Sequence, residues 1–187
     1  MKQDTSKERI LAASSRLFQS QGYHATGLNQ IIQESGAPKG SLYHYFPGGK
    51  EQLAIEALNR GRMFITQRLR SHMESDLSPI EALQALLTAF IAAMENSEFA
   101  GGMSVANIAL DTANTSEGIR MACAEAYDEW IGVIGAKLIS HGMEANKASE
   151  IAHILHAIIE GSFIIAIVQR DSAIFHMLIK RLPQLLQ

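Results

Sequence analysis

Two groups of residues in this chain combine the right chemistry with regular spacing. Lys39, Gly40, Ser41, Tyr43 and His44 stand almost side by side, with Lys50 shortly after. Ammonium groups suit phosphate oxygens, hydroxyl, phenol and imidazole suit hydrogen bonding along a groove, and a glycine lets a backbone approach base edges. The second group is His153, His156 and Glu160, at i, i+3 and i+7. On a helix they share a face, and imidazole with carboxylate suits zinc. Only three ligands are local, so a fourth would come from elsewhere, and polar residues lining a pocket or interface explain the same trio. The chemistry of covalent catalysis is not written here. Gly48-Gly49-Lys50-Glu51 lacks the earlier glycine and the Ser/Thr of a phosphate loop, and neither G-x-S-x-G nor G-x-G-x-x-G occurs. Cys123 sits in Met121-Ala122-Cys123-Ala124 without a local base and reads as packing.

The first group needs an element to present it. Leu28, Ile31 and Ile32 give one short helix an apolar face. Ser35-Gly36-Ala37 breaks the pattern, because glycine takes the angles that end a helix. Pro38 suits the first turn of a second helix, where its missing N–H costs nothing. Leu42 and Phe46 (i, i+4) keep that second helix anchored, so Lys39, Ser41, Tyr43 and His44 point the other way. Two short helices around a glycine turn make a helix-turn-helix whose second helix fits a major groove. An ordinary helical hairpin with a solvated face has the same spacing.

The rest of the chain reads as helix, with no convincing strand: an all-α protein of about nine helices. Thr5-x-x-Glu8 is a capping box for a first helix that Gly22 should end. A long helix follows from about Lys50 to Met73, with Ala54, Leu58, Ile65 and Leu69 on one stripe. Ser78-Pro79 opens another that reaches about Asn96. A shorter helix to about Thr112 and a long one from Ser116 to Ser140 come next, closed by His141-Gly142. The last two span about Ala145–Arg170 and Ser172–Leu186, with Pro183 placed to interrupt the second.

Charge is unevenly distributed. Residues 1–72 carry +5 and the remainder −8, giving the net −3. A basic N-terminal part beside an acidic remainder suits a DNA-binding head on a body that phosphate repels. The polar N-terminus is no signal peptide. The longest apolar runs, at 89–94 and 163–168, fall far short of the roughly 20 residues that span a bilayer. With a single cysteine, a reducing compartment is the simplest setting.

Residues 27–46 resemble the DNA-binding domain of the tetracycline-repressor (TetR) family of bacterial regulators, a resemblance that is specific over about residues 5–60. The run from Gly36 to Phe46 carries the resemblance, with Phe18, Gly22, Tyr23 and Thr26 as its lead-in. Pro47-Gly48-Gly49-Lys50-Glu51-Gln52-Leu53-Ala54 resembles the LmrA/YxaF-like subgroup. Two positions depart from the family pattern: Pro38 replaces a hydroxyl cap, and Gly27 replaces a hydroxyl residue opening the preceding helix.

The resemblance implies a helix-turn-helix domain over residues 1–50 and a ligand-binding and dimerisation domain over 51–187. The expected partners are double-stranded operator DNA, a small aromatic or hydrophobic effector and a second copy of the chain, in the cytoplasm, with no membrane, cofactor or metal. DNA contacts fall to Thr26, Gly27, Gln30, Lys39, Gly40, Ser41, Tyr43, His44 and Lys50. Phe64, Phe90, Met94, Phe99, Met103, Tyr127 and Trp130 are the apolar candidates for the effector, with Asn107, Tyr127 and His156 as orienting polar groups. Leu155, Ile158, Ile159, Ile165, Ile174 and Leu178, with the small residues Gly161 and Ser162, fit an interface of four helices across a two-fold axis. Pattern alone also allows them to form an intramolecular core. Two other functions remain open on the residues: a metal sensor or small enzyme built on His153, His156 and Glu160, and an architectural DNA binder without a ligand.

Overall fold

A computed structural model describes residues 5–97 and 105–186. Phe99 and Met103 lie outside the described residues. Nine helices and no strand are found among those described: α1 (Ser6–Ala25), α2 (Leu28–Ser35), α3 (Lys39–Tyr45), α4 (Gly49–Met73), α5 (Pro79–Asn96), α6 (Val105–Thr112), α7 (Glu117–Ser140), α8 (Ala145–Gln169) and α9 (Ala173–Leu185). They form two compact units, residues 1–63 with 102–126, and residues 64–101 with 127–187.

In the first unit α1 is the hub, with α2, α3 and α6 packed against it. Its N-terminus is closed by the reciprocal Thr5–Glu8 capping box. Ile10, Ala13, Leu17 and Phe18 from α1 are buried with Ile31, Leu42, Phe46, Leu53 and Ile108. Gly22 breaks the helical backbone at φ 84° and ψ 170°, but α1 resumes and runs to Ala25. The resumed turn is held from a distant part of the sequence. The Asp111 carboxylate accepts from the Tyr23 N–H at 3.2 Å, and the Asp111 carbonyl oxygen lies 2.7 Å from His24 Nε2. Ser116 caps the start of α7 by accepting from the Ile119 N–H, and its hydroxyl donates to Glu51 on α4.

In the second unit α9 packs against both α5 and α8. Leu83, Leu86, Leu87, Leu155, Phe175 and Leu182 are among its buried side chains. Ser78 and Glu81 form the capping box of α5, and Glu144 caps α8 by accepting from the N–H groups of Asn146 and Lys147. Those two donors hold the Glu144 carboxyl below its ordinary range. Pro183 does not interrupt the last helix, which continues to Leu185. Proline removes the bond that Ile179 C=O would otherwise accept, and Gln84 Nε2 donates to that carbonyl at 3.4 Å instead.

Helix α8 is long and apolar enough to cross a membrane by length and composition, the only such helix among the described residues. One of its faces is already used: Ala148, Ala152, Leu155, Ile159, Ser162 and Ala166 are buried at spacings of three and four.

Candidate nucleic-acid interface and effector site

The helix-turn-helix lies wholly in the first unit. Gly36 ends α2 in the left-handed region at φ 60°, where a glycine escapes the Cβ clash that other residues meet. Pro38 stands one place before the helix, as the N-cap of α3 and not in its first turn. It brings no side-chain cap, and within the turn Ser35 Oγ accepts from the Ala37 N–H at 3.3 Å. Arg9 spans from α1 to donate to the Gly36 carbonyl at 3.4 Å, bracing the turn from beneath.

Leu42 on α3 and Phe46 at its C-cap are fully buried, so the opposite face is free. Lys39, Gly40, Tyr43 and His44 are exposed and Ser41 is half-buried. A Cβ at Gly40 would meet nothing within 4 Å, so nothing in the protein itself requires glycine there. The other expected DNA contacts are arranged differently. Thr26 is buried and its hydroxyl donates to the Gly22 carbonyl at 2.8 Å, a structural bond across the kink. Gly27 is exposed as the N-cap of α2 and makes no side-chain cap. Gln30 is exposed but paired with Gln21 through both amides, at 2.7 Å and 3.2 Å. Lys50 places its ammonium 4.4 Å from the centre of the Tyr23 ring and donates to the His24 carbonyl at 3.3 Å. Burial pulls that ammonium below its ordinary value and raises the Tyr23 phenol, with the Glu51 charge adding to the effect. Nothing local in the sequence marks Arg9 and Asp111, whose partners lie 27 and 88 residues away, and Gln21 is identified only by the turn that brings Gln30 beside it.

The effector candidates are sorted by the fold. Asn107 is exposed on α6 of the first unit. Phe64 is 60% exposed on α4, with the Arg68 guanidinium over its ring. Met94 is buried on α5. Tyr127, Trp130 and His156 come together, with ring centres 5.0 Å to 6.0 Å apart. Trp130 Nε1 donates to Thr66 Oγ1 at 3.1 Å, which satisfies the indole. Phe90 contacts Phe163 at 5.1 Å, and Phe163 contacts Phe175 at 5.0 Å. Phe163 and Phe175 are not among the effector candidates of the sequence, although i+7 from His156 is a usable signal for the first.

His153, His156 and Glu160 do not assemble a metal site. His153 Nδ1 is 2.8 Å from the Ser149 carbonyl, and among the described residues no three His, Cys, Asp or Glu side chains are grouped to hold a metal. Burial lowers the His156 imidazole, with His153 adding to it, and raises the Glu160 carboxyl. Cys123 is buried and its thiol is pushed up to about 11, which favours the unreactive protonated form.

Of the expected interface residues, Leu155, Ile159, Ser162 and Leu178 are buried within the chain. Ser162 Oγ donates back to the Ile158 carbonyl at 2.7 Å. Ile158, Gly161 and Ile174 are half-buried and Ile165 is exposed. A Cβ at Gly161 would meet nothing within 4 Å.

A helix-turn-helix with a freely presented second helix, followed by a larger helical region, defines a DNA-binding transcriptional regulator. Residues 10–57 match the model for bacterial regulatory proteins of the tetR family, and residues 79–181 match that for the C-terminal domain of LmrA/YxaF-like transcriptional regulators. The chain belongs to the TetR family, in its LmrA/YxaF-like branch. It is 44% identical to the HTH-type transcriptional regulator LmrA of Bacillus subtilis over 97% of each chain. It is 38% identical to the regulator YxaF of the same organism, covering 97% of this chain and 95% of the relative. A TetR regulator from Legionella pneumophila shares the fold with a TM-score of 0.86 at 22% identity, covering 98% of both chains.

Proposed function

We propose that the protein is a repressor that binds a pseudo-palindromic operator as a homodimer and lets go when a small aromatic or hydrophobic effector binds. The observation that carries this reading is the α3 surface, where Lys39, Tyr43 and His44 stand exposed over the buried anchors Leu42 and Phe46. In this reading residues 1–50 form the DNA-binding domain and residues 51–187 the effector-binding and dimerisation domain. Lys39 neutralises a phosphate, Tyr43 and His44 line the groove, and Gly40 with Ser41 allows close approach to base edges. Lys50 and Thr26 act indirectly, by holding the end of α1 against the first turn of the motif.

Dimerisation is supported by apolar side chains that the chain leaves uncovered. Ile154, Ile164, Ile165 and Val168 on α8 and Met177 on α9 are each at least 41% exposed. A second copy covering them would place two α3 helices on one face of the DNA, facing half-sites a helical turn or more apart. That stripe also accounts for the high hydropathy of α8 without a membrane, and DNA as partner supports a cytoplasmic location.

Release requires an effector that prefers the conformation with lower DNA affinity. Tyr127, Trp130 and His156, with Phe90 and Met94, are the residues assigned to it. Fluorescence anisotropy of a labelled operator, titrated with protein in the presence and absence of aromatic compounds that raise its melting temperature, tests the reading. It requires that at least one stabilising compound weaken operator binding; stabilisation without any loss of operator affinity leaves an architectural DNA binder.

A further inference from the structure

The polar groups around the kink in α1 form one directed chain of hydrogen bonds. Two backbone carbonyls start it. The Thr26 hydroxyl donates to the Gly22 carbonyl at 2.8 Å, and Gln21 Nε2 donates to the Ala25 carbonyl at 3.1 Å. A carbonyl can only accept, so the Ala25 oxygen decides which end of the Gln21 amide is the nitrogen. The same nitrogen reaches Thr26 Oγ1 at 3.3 Å and Gln30 Oε1 at 2.7 Å. Gln30 Nε2 returns a bond to Gln21 Oε1 at 3.2 Å. The two amides therefore close into a pair whose orientation is inherited from the backbone of the kink. One group is left over. An amide nitrogen carries two N–H donors, and Gln30 Nε2 meets a single acceptor among the described residues. Both glutamines are exposed, so water could satisfy either amide and the pair adds little to stability. What it fixes is direction. Gln30 stands in the first turn of α2, the helix of the motif that crosses the DNA backbone.

We infer that Gln21 is a positioning residue for DNA binding: it does not touch DNA, but it holds the Gln30 amide so that the remaining N–H is presented to a backbone phosphate oxygen. With its carbonyl oxygen taken by Gln21, Gln30 offers only a donor, which suits phosphate and carries no reading of base sequence. A glutamine freed from its partner would have to order its rotatable bonds on binding, and preorganisation removes that cost. The donor is neutral, so unlike Lys39 it releases no counterion. The inference rests on the operator-binding reading and on nothing in the effector half of it.

The test duplex is one that the wild-type protein enriches from a random pool, and affinity is read by anisotropy at several salt concentrations. Gln30→Ala should bind it about ten-fold more weakly, the usual weight of a hydrogen bond to a charged acceptor. Gln21→Met, nearly the same length without the amide, should lose about three- to ten-fold by freeing Gln30; Gln21→Leu repeats the measurement should the first variant melt early. Neither change should alter the salt slope. The double variant Gln21→Met/Gln30→Ala should bind no more weakly than Gln30→Ala, because Gln21 acts only through Gln30. A scan of the duplex with neutral methylphosphonate links adds a readout that a merely structural role would not move. One link should weaken the wild type, lose its effect in Gln30→Ala and lose most of it in Gln21→Met. Wild-type affinity in the Gln21 variants, a double variant that loses the product of the two single effects, or a link whose effect survives in Gln30→Ala overturns the inference and leaves the regulator reading intact. A wild type that enriches no duplex fails the regulator reading itself and takes the inference with it.

Discussion

Gly22 holds φ 84° and ψ 170° inside α1, and a Cβ there would lie 2.9 Å from Asp111 Oδ2. Gly22→Ala should therefore lose about 1–3 kcal/mol of stability from the backbone alone, and a urea midpoint measures it. Asp111→Ala isolates the other half of the contact by leaving the Tyr23 N–H without its acceptor, at about 1 kcal/mol, whereas Asp111→Asn keeps an acceptor oxygen and should lose less. His156 gives a pH prediction. Its imidazole is lowered by burial and by His153, with Glu160 the acid on the same flank and the rings of Tyr127 and Trp130 facing it from α7. The folded state thus favours neutral His156, and the associated stability is present above the ordinary histidine value and fades as pH falls through the lowered one. The slope for one proton cannot exceed about 1.4 kcal/mol per pH unit. Glu160, raised by burial, works in the opposite sense by holding its proton in the fold. Urea unfolding at pH 7.5 and 5.5 should show a smaller acid loss in His156→Gln than in the wild type, because only the histidine contribution is removed.

At the scale of elements, α3 separates two lysines that look alike in sequence. Lys39 is exposed, so Lys39→Ala should leave the melting temperature unchanged and make the slope of log affinity against log salt shallower by about 0.9. Lys50 is engaged with the Tyr23 ring and the His24 carbonyl. Lys50→Ala should lower stability by about 0.5–1 kcal/mol, the usual worth of such a cation–ring contact, whatever it does to DNA binding. Thermal melts of both variants beside operator titrations at several salt concentrations make the comparison. The helices themselves were legible because their signals are local: the Thr5–Glu8 and Ser78–Glu81 boxes, the glycine at 36, the apolar pair at 42 and 46. Pro183 misled because its consequence depends on Gln84, about a hundred residues earlier, which takes over the freed carbonyl. Thr26 and Gln30 carry side chains suited to DNA, and only the fold reveals that the kink and Gln21 have engaged them. Which apolar residues of α8 face inward is not settled by period alone, since apolar side chains recur on more than one of its flanks.

At the scale of the whole molecule, the open space around Gly161 makes it a clean probe of assembly. A Cβ at Gly161 would meet nothing within 4 Å, so a monomer should tolerate Gly161→Leu, whereas a tightly packed partner helix would be overpacked at about 1–3 kcal/mol. Sedimentation should show more monomer, with operator affinity reduced in step. A variant that remains fully dimeric and binds normally places the interface away from this stretch of α8. The grip of Asp111 and Ser116 on the first unit has a consequence for biosynthesis. Tyr23, His24 and Glu51 leave the ribosome 65 to 88 residues ahead of the groups that secure them, a delay of roughly 3–18 s at bacterial-type elongation rates. During that interval the nascent helix-turn-helix lacks its fastening, so premature operator binding by an unfinished chain is discouraged. A truncated product ending near residue 60 should be a poor competitor for the site it is built to read.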